Sequence, residues 1–197
     1  ESLNIRPALT ILFSFLFVIL AGTWLLMMPF TARSGNGLSL IDAMFTATSA
    51  VCVTGLIVVD TATYFSIWGK VVIMLLIQIG GLGIMVLSYF TLIVMGKKIS
   101  VKQKKLVSYI LNKEDMGNLK KTLISIIGLT AVIEGTGILI LVAGSGGLGM
   151  NFPERLFFGF FHSVSAFCNA GFALFSDSLE SFSGTPLILV TMAFLII

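Results

Sequence analysis

Charge is scarce in this chain. Only 11% of its 197 residues are Asp, Glu, Lys or Arg, against roughly 25% in an average soluble domain. Histidine occurs once, and the two cysteines, Cys52 and Cys168, stand far apart in apolar surroundings. That excludes a disulfide framework and a zinc site as organising features, and both cysteines read as small buried residues. A single acid in a long apolar block, Glu134, has no acidic, serine or histidine partner for intramembrane proteolysis, and nothing else suggests an enzyme. The formal net charge of +3 does not suggest a nucleic-acid partner, because its distribution serves another purpose.

Apolar residues are abundant. They make up 57% of the chain, mean hydropathy is +1.07, and they arrive in blocks rather than in alternation. No charged side chain occurs from Ala8 to Ala32 or from Val71 to Gly96, and a third block from Lys121 to Ala143 is broken only by Glu134. Each exceeds the roughly 20 residues that a helix needs to cross a hydrocarbon core. Three complete spans are expected, at 8–28, 68–95 and 121–142, with a fourth beginning at Pro186 and cut off at Ile197. The first is too long for a signal peptide, only Arg6 precedes it closely, and Phe30-Thr31-Ala32 is a poor cleavage site. Eight of the nine lysines fall between Lys97 and Lys121. By the positive-inside rule this connection and the N-terminus are cytoplasmic, which puts 29–67 and 144–185 outside.

Two apolar, helix-compatible stretches, 40–50 and 153–167, are too short to span; about 11 residues reach only roughly 16 Å. Each starts and ends outside, so each reads as a re-entrant helix whose return limb must lie within protein or beside water. The two returns also align without gaps. Ala43-Met44-Phe45-Thr46-Ala47-Thr48-Ser49-Ala50-Val51-Cys52-Val53-Thr54-Gly55-Leu56 matches Gly159-Phe160-Phe161-His162-Ser163-Val164-Ser165-Ala166-Phe167-Cys168-Asn169-Ala170-Gly171-Phe172 at an offset of 116 residues. Matching element order makes this an internal repeat, a common feature of transport proteins. The limbs Val51, Cys52, Val53, Thr54, Gly55 and Phe167, Cys168, Asn169, Ala170, Gly171 carry almost no side-chain charge. Their backbone carbonyls must therefore supply polarity, as carbonyl rings do for a desolvated monovalent cation. Glycine at Gly55 and Gly171 admits the dihedral angles needed, and the helix C-termini favour a cation over an anion. Asp42, Asp60, Asp177 and Glu180 are either attractors of cations at the outer mouth or ordinary solvated charges.

Span–pore-helix–span units with one filter glycine resemble the Trk/Ktr/HKT potassium transporter superfamily. Ser49-Ala50-Val51-Cys52-Val53-Thr54-Gly55-Leu56 resembles its first filter and Ser165-Ala166-Phe167-Cys168-Asn169-Ala170-Gly171-Phe172 its second. Gln78-Ile79-Gly80-Gly81-Leu82-Gly83 resembles the glycine-rich opening of the helix after the first filter. No room remains before the first span for the extra spans of Trk-type members, so the likeness is to the N-terminal half of the Ktr membrane subunit. The resemblance implies an all-α, channel-like membrane protein of repeated span–pore helix–filter loop–span units. Four such units would surround one pore, and this chain holds about one and a half. It implies a homodimer in the bacterial inner membrane, potassium as the transported ion, sodium as an activating ion, no covalent cofactor, and a cytosolic nucleotide-binding regulatory ring. In plant members a serine in place of the first filter glycine goes with sodium transport, so Gly55 implies potassium. The expected divisions are a first unit at 1–95, a basic cytoplasmic linker at 96–120, and a truncated second unit at 121–197.

Other features stay open. Glu134 is either functional or paired with a backbone or hydroxyl donor such as Thr136 or Thr130. His162 is expected to pack or hydrogen-bond rather than to ligate. Gly80, Gly81 and Gly83 suit close helix approach. Gly144-Ser145-Gly146-Gly147-Leu148-Gly149 fits a dinucleotide pattern literally but lacks the strand that the motif requires, so it reads as a flexible outer loop. The stretch 100–111 suits headgroup binding, docking on a cytosolic subunit, or a solvated linker. Two further readings are a secondary transporter for another solute and a non-transporting scaffold.

Overall fold

A computed structural model describes residues 7–83, 119–147, 149–176 and 185–196. The far part of the second expected span, nearly all of the basic linker, and Asp177 and Glu180 lie outside the described residues. Six helices are described: α1 (Pro7–Leu26), α2 (Leu40–Val51), α3 (Ile67–Leu82), α4 (Leu119–Gly144), α5 (Phe152–Phe167) and α6 (Pro186–Ile196). Short 3-10 turns, Pro29–Thr31 and Ser145–Gly147, follow α1 and α4. Among the described residues the one β contact is an isolated bridge, Ala32 to Phe65.

Local chemistry sets the helix starts. At α2, the Ser39 hydroxyl accepts from the Asp42 backbone N–H at 3.2 Å and donates to the Asp42 carboxylate at 2.7 Å. At α5, Asn151 and Glu154 form a reciprocal capping box, with Pro153 in the first turn. This box starts α5 one residue before the expected helix. The end of α4 is closed by Arg155, whose guanidinium donates to the Ser145 hydroxyl and the Val142 carbonyl. A cation there also complements the helix C-terminus. The glycine-rich stretch that read as a flexible loop is thus a tied turn over Ser145–Gly147.

Helices α1, α2 and α3 form one packed group, and α4, α5 and α6 a second. A buried cluster including Leu26, Ala47, Phe65, Ile73, Ile77, Phe161 and Phe172 crosses between them, because α3 packs on α5. A second cluster, with Leu141, Phe158, Ile188 and Met192, fills the space between α4, α5 and α6. The outer surface is strongly apolar: Phe17, Trp24, Leu129, Val132, Leu139, Val190 and Phe194 are all exposed. Such an exterior suits lipid rather than water. One described segment, Ile124–Gly147, is long and apolar enough by itself to cross a membrane.

Candidate functional site

Both expected return limbs begin where a short helix ends, and they leave it in the same way. The N–H of Cys52 donates to the Thr48 carbonyl at 2.8 Å, that of Val53 to Ala50 at 3.3 Å, and that of Thr54 to Ser49 at 2.9 Å. The second limb repeats this pattern: Cys168 to Val164 at 3.0 Å, Asn169 to Ala166 at 2.9 Å, and Ala170 to Ser165 at 2.7 Å. Dihedral angles match too. Val53 and Asn169 both have φ 58°, while Gly55 and Gly171 have 72° and 70°. Asparagine and glycine accept this left-handed region, but a β-branched valine there is a genuine outlier, held only by its surroundings. Nothing in the sequence around Val53 signals this; its alignment with Asn169 is the one available hint.

These bonds turn the limb N–H groups back towards the helices and leave the carbonyls. Among the described residues, no donor is bonded to the carbonyls of 51–55 or 167–171. The limbs also meet each other. A Cβ added to Gly55 would lie 2.6 Å from the Ala170 oxygen and 3.2 Å from the Gly171 Cα. Helix α3 supports both: a Cβ on Gly80 would stand 2.1 Å from the Val51 oxygen, and one on Gly81 2.4 Å from the Cys168 sulfur. The glycine pair therefore seats one limb each. Eight of the ten expected site residues thus lie in two adjoining loops, and the other two, Val51 and Phe167, are the last residues of α2 and α5. Carbonyls without described donors at two helix C-termini, with no charged side chain among them, are chemistry that suits a desolvated cation better than an anion.

Side chains around the loops brace them. Ser165 donates to the Phe172 carbonyl at 2.7 Å, and the Thr54 hydroxyl to the Ser49 hydroxyl at 3.0 Å. His162 is fully buried between Phe158, Phe161 and Phe175. Its Nε2 accepts from the Leu174 N–H at 3.3 Å, so Nδ1 carries the proton and donates to the Phe158 carbonyl at 3.0 Å. It fastens the chain leaving the second loop. Lys70, unremarked in the sequence, does the same for the first: it is buried and donates to the Ala62 carbonyl at 2.8 Å. A lysine outside the basic linker, at the start of an apolar helix, was the signal available.

Two expectations need correction. Cys52 is exposed and Cys168 only partly buried; both occupy helix C-cap positions, and Cys168 alone is packed, against Gly81. Glu134 is not paired with a threonine: Gln78 donates to its carboxylate at 2.9 Å, while the Thr136 hydroxyl bonds back to the Ile133 carbonyl of its own helix. Asp60 keeps its charge and is tied down by three hydrogen bonds. It accepts from the Ala62 N–H at 2.8 Å, the Thr63 hydroxyl at 2.9 Å, and the hydroxyl of Ser176. The Ser176 bond, ahead of the smaller opposing effect of burial, holds its carboxyl below the usual aspartate value. Asp42 is likewise engaged in capping α2.

A family profile described as TrkH, cation transport protein, matches residues 6–197. The chain belongs to this TrkH family. With only helices and turns as regular elements among its described residues, it is an all-α member of a membrane transport family. The Ktr system potassium uptake protein B of Vibrio alginolyticus is 45% identical over 187 residues, which cover 95% of this chain and 40% of that protein. The protein of the same name from Bacillus subtilis is 41% identical over 197 residues, 97% of this chain and 42% of the relative. The potassium/sodium uptake protein NtpJ of Enterococcus hirae is 39% identical, covering 98% of this chain and 43% of its own length. The chain thus spans 40 to 43% of the length of these relatives, and it matches their N-terminal half.

Proposed function

We propose that this TrkH-family chain forms part of a potassium permeation path, with the carbonyls of 51–55 and 167–171 lining it. The observation that carries this reading is the duplicated loop: matching dihedral angles, matching hydrogen bonds and carbonyls left without described donors. Potassium is favoured over other cations because the relatives are named for its uptake. A dehydrated potassium ion exchanges water oxygens for these carbonyls, and the helix C-termini of α2 and α5 add partial negative charge. The loops hold their shape because α3 supports both through Gly80 and Gly81.

We extend this reading to the complete protein. The repeat 1–95 and 121–197 supplies two filter segments, and the rest of a longer chain supplies the others around one pore. The complete protein works as a homodimer in the bacterial inner membrane. Its loops open to the outside, and the N-terminus and 96–120 face the cytoplasm, where a nucleotide-binding ring regulates it. Sodium activates uptake and no covalent cofactor takes part. Potassium uptake into potassium-depleted cells lacking their own uptake systems tests this, using the full parent gene with its regulatory partner. Uptake that Gly55→Asp abolishes at equal membrane abundance is the expected result; undiminished uptake by the variant would overturn the assignment of the loops.

A further inference from the structure

We propose that Glu134 is a positioning residue that sets the two loops relative to each other and so governs discrimination between potassium and sodium. The proposal rests on the permeation reading above. One residue of α4 holds two other elements. Its carboxylate accepts from the Gln78 amide at 2.9 Å, and its backbone carbonyl accepts from the Ser163 hydroxyl at 2.8 Å. Gln78 belongs to α3 and Ser163 to α5. Gly137 makes room for the second bond, since a Cβ there would lie 2.6 Å from the Ser163 oxygen.

Gln78 stands three residues before Gly81, on the same face of α3. Gly81 is the seat of Cys168, and adjacent Gly80 is the seat of the Val51 carbonyl. A hydrogen bond at Gln78 therefore fixes the rotation of α3 where both loops rest on it. Ser163, five residues before Cys168 on the second short helix, is tied to the same point of α4. The amide is committed to this bond: its own oxygen is buried without a partner among the described residues, and the opposite orientation would set that oxygen against the carboxylate. An intramembrane carboxylate is expensive to keep. Holding rotation at a loop seat is a reason to keep one.

The test uses the full-length protein in proteoliposomes, with the potassium-to-sodium permeability ratio as readout. Glu134→Gln retains an oxygen that accepts from Gln78 and should stay within about twofold of the unaltered ratio. Glu134→Leu should lower the ratio by about fivefold, the effect of one hydrogen bond of ordinary net strength. The double variant Gln78→Leu/Glu134→Leu leaves no polar group unpaired, so it should assemble and melt like the unaltered protein yet show the same loss. A normal ratio in either apolar variant overturns the proposal. Failure of both to assemble makes Glu134 a folding residue and also overturns it. A potassium-selective unaltered protein with an equally selective Glu134→Leu removes only the positioning role, whereas an unaltered protein without potassium flux removes the transport reading itself.

Discussion

Gly55 and Ala170 touch backbone to backbone, so closely that a Cβ on Gly55 would lie 2.6 Å from the Ala170 oxygen. The first loop is thus shaped against the second, and a change at Gly55 reaches both. Gly55→Ser also puts a side chain at φ 72°, which costs a non-glycine residue roughly 1–2 kcal/mol. The expected outcome is a fall in potassium-over-sodium preference of about tenfold in flux assays on the full-length protein. An unchanged preference would mean that this contact does not shape the path.

The two glycines beneath the loops should differ in their response to alanine. At Gly80 the obstacle is the Val51 backbone oxygen, which cannot withdraw without moving the loop; at Gly81 it is chiefly the Cys168 sulfur. Cys168→Ala should therefore restore part of the stability lost in Gly81→Ala and none of that lost in Gly80→Ala. A double-mutant cycle on melting temperatures should give coupling of roughly 0.5–3 kcal/mol for the Gly81 pair and about zero for the Gly80 pair.

His162→Ala removes a fully buried ring and leaves the Leu174 N–H and the Phe158 carbonyl without it. The cavity and the unpaired N–H together should destabilise the protein by roughly 2–4 kcal/mol. Thermal unfolding of the purified protein checks this. An effect below the resolution of the melt would show that the ring is not the fastener of the second loop.

Asp60 and Ser176, 116 residues apart, join the segments that follow the two loops. Because its folded-state pKa is lowered, the aspartate contributes stability that is fully present above the unfolded pKa. That stability is lost as pH falls from there through the lowered folded value. Proteolysis of the segments joined by this bond should accordingly be flat near neutral pH and rise only in acid, below the ordinary aspartate value. Asp60→Asn should abolish that acid dependence. A rise centred near neutral pH, or one that persists in Asp60→Asn, would assign it to another group.

The shape of the candidate site was partly legible because the two segments resemble each other in sequence. The gapless match around Ser49-Ala50 and Ser165-Ala166 located both loops, and the absence of charge in them pointed to carbonyl chemistry. Asn151 and Glu154, a cap three residues ahead of its acid, were a start signal for α5 that the expected helix at 153–167 passed over. What stayed hidden depends on contacts between distant segments. Gln78 and Glu134 are 56 residues apart, and no local pattern says that one helix will present its amide to the other. The exposure of Cys52 was misread for a related reason: apolar neighbours in sequence do not tell which way a helix cap faces. Val53 gave no warning of its backbone angle, since propensity alone would place a valine in extended or helical backbone.

On the proposed permeation path an ion sits among the carbonyls of 51–55 and 167–171. Anomalous diffraction from crystals of the full-length protein soaked in thallium or rubidium, each a substitute for potassium, tests it most directly. An anomalous peak is expected within coordinating distance of carbonyls from both loops, weakened in Gly55→Ser. A peak elsewhere in an active protein, with none beside these carbonyls, would contradict it.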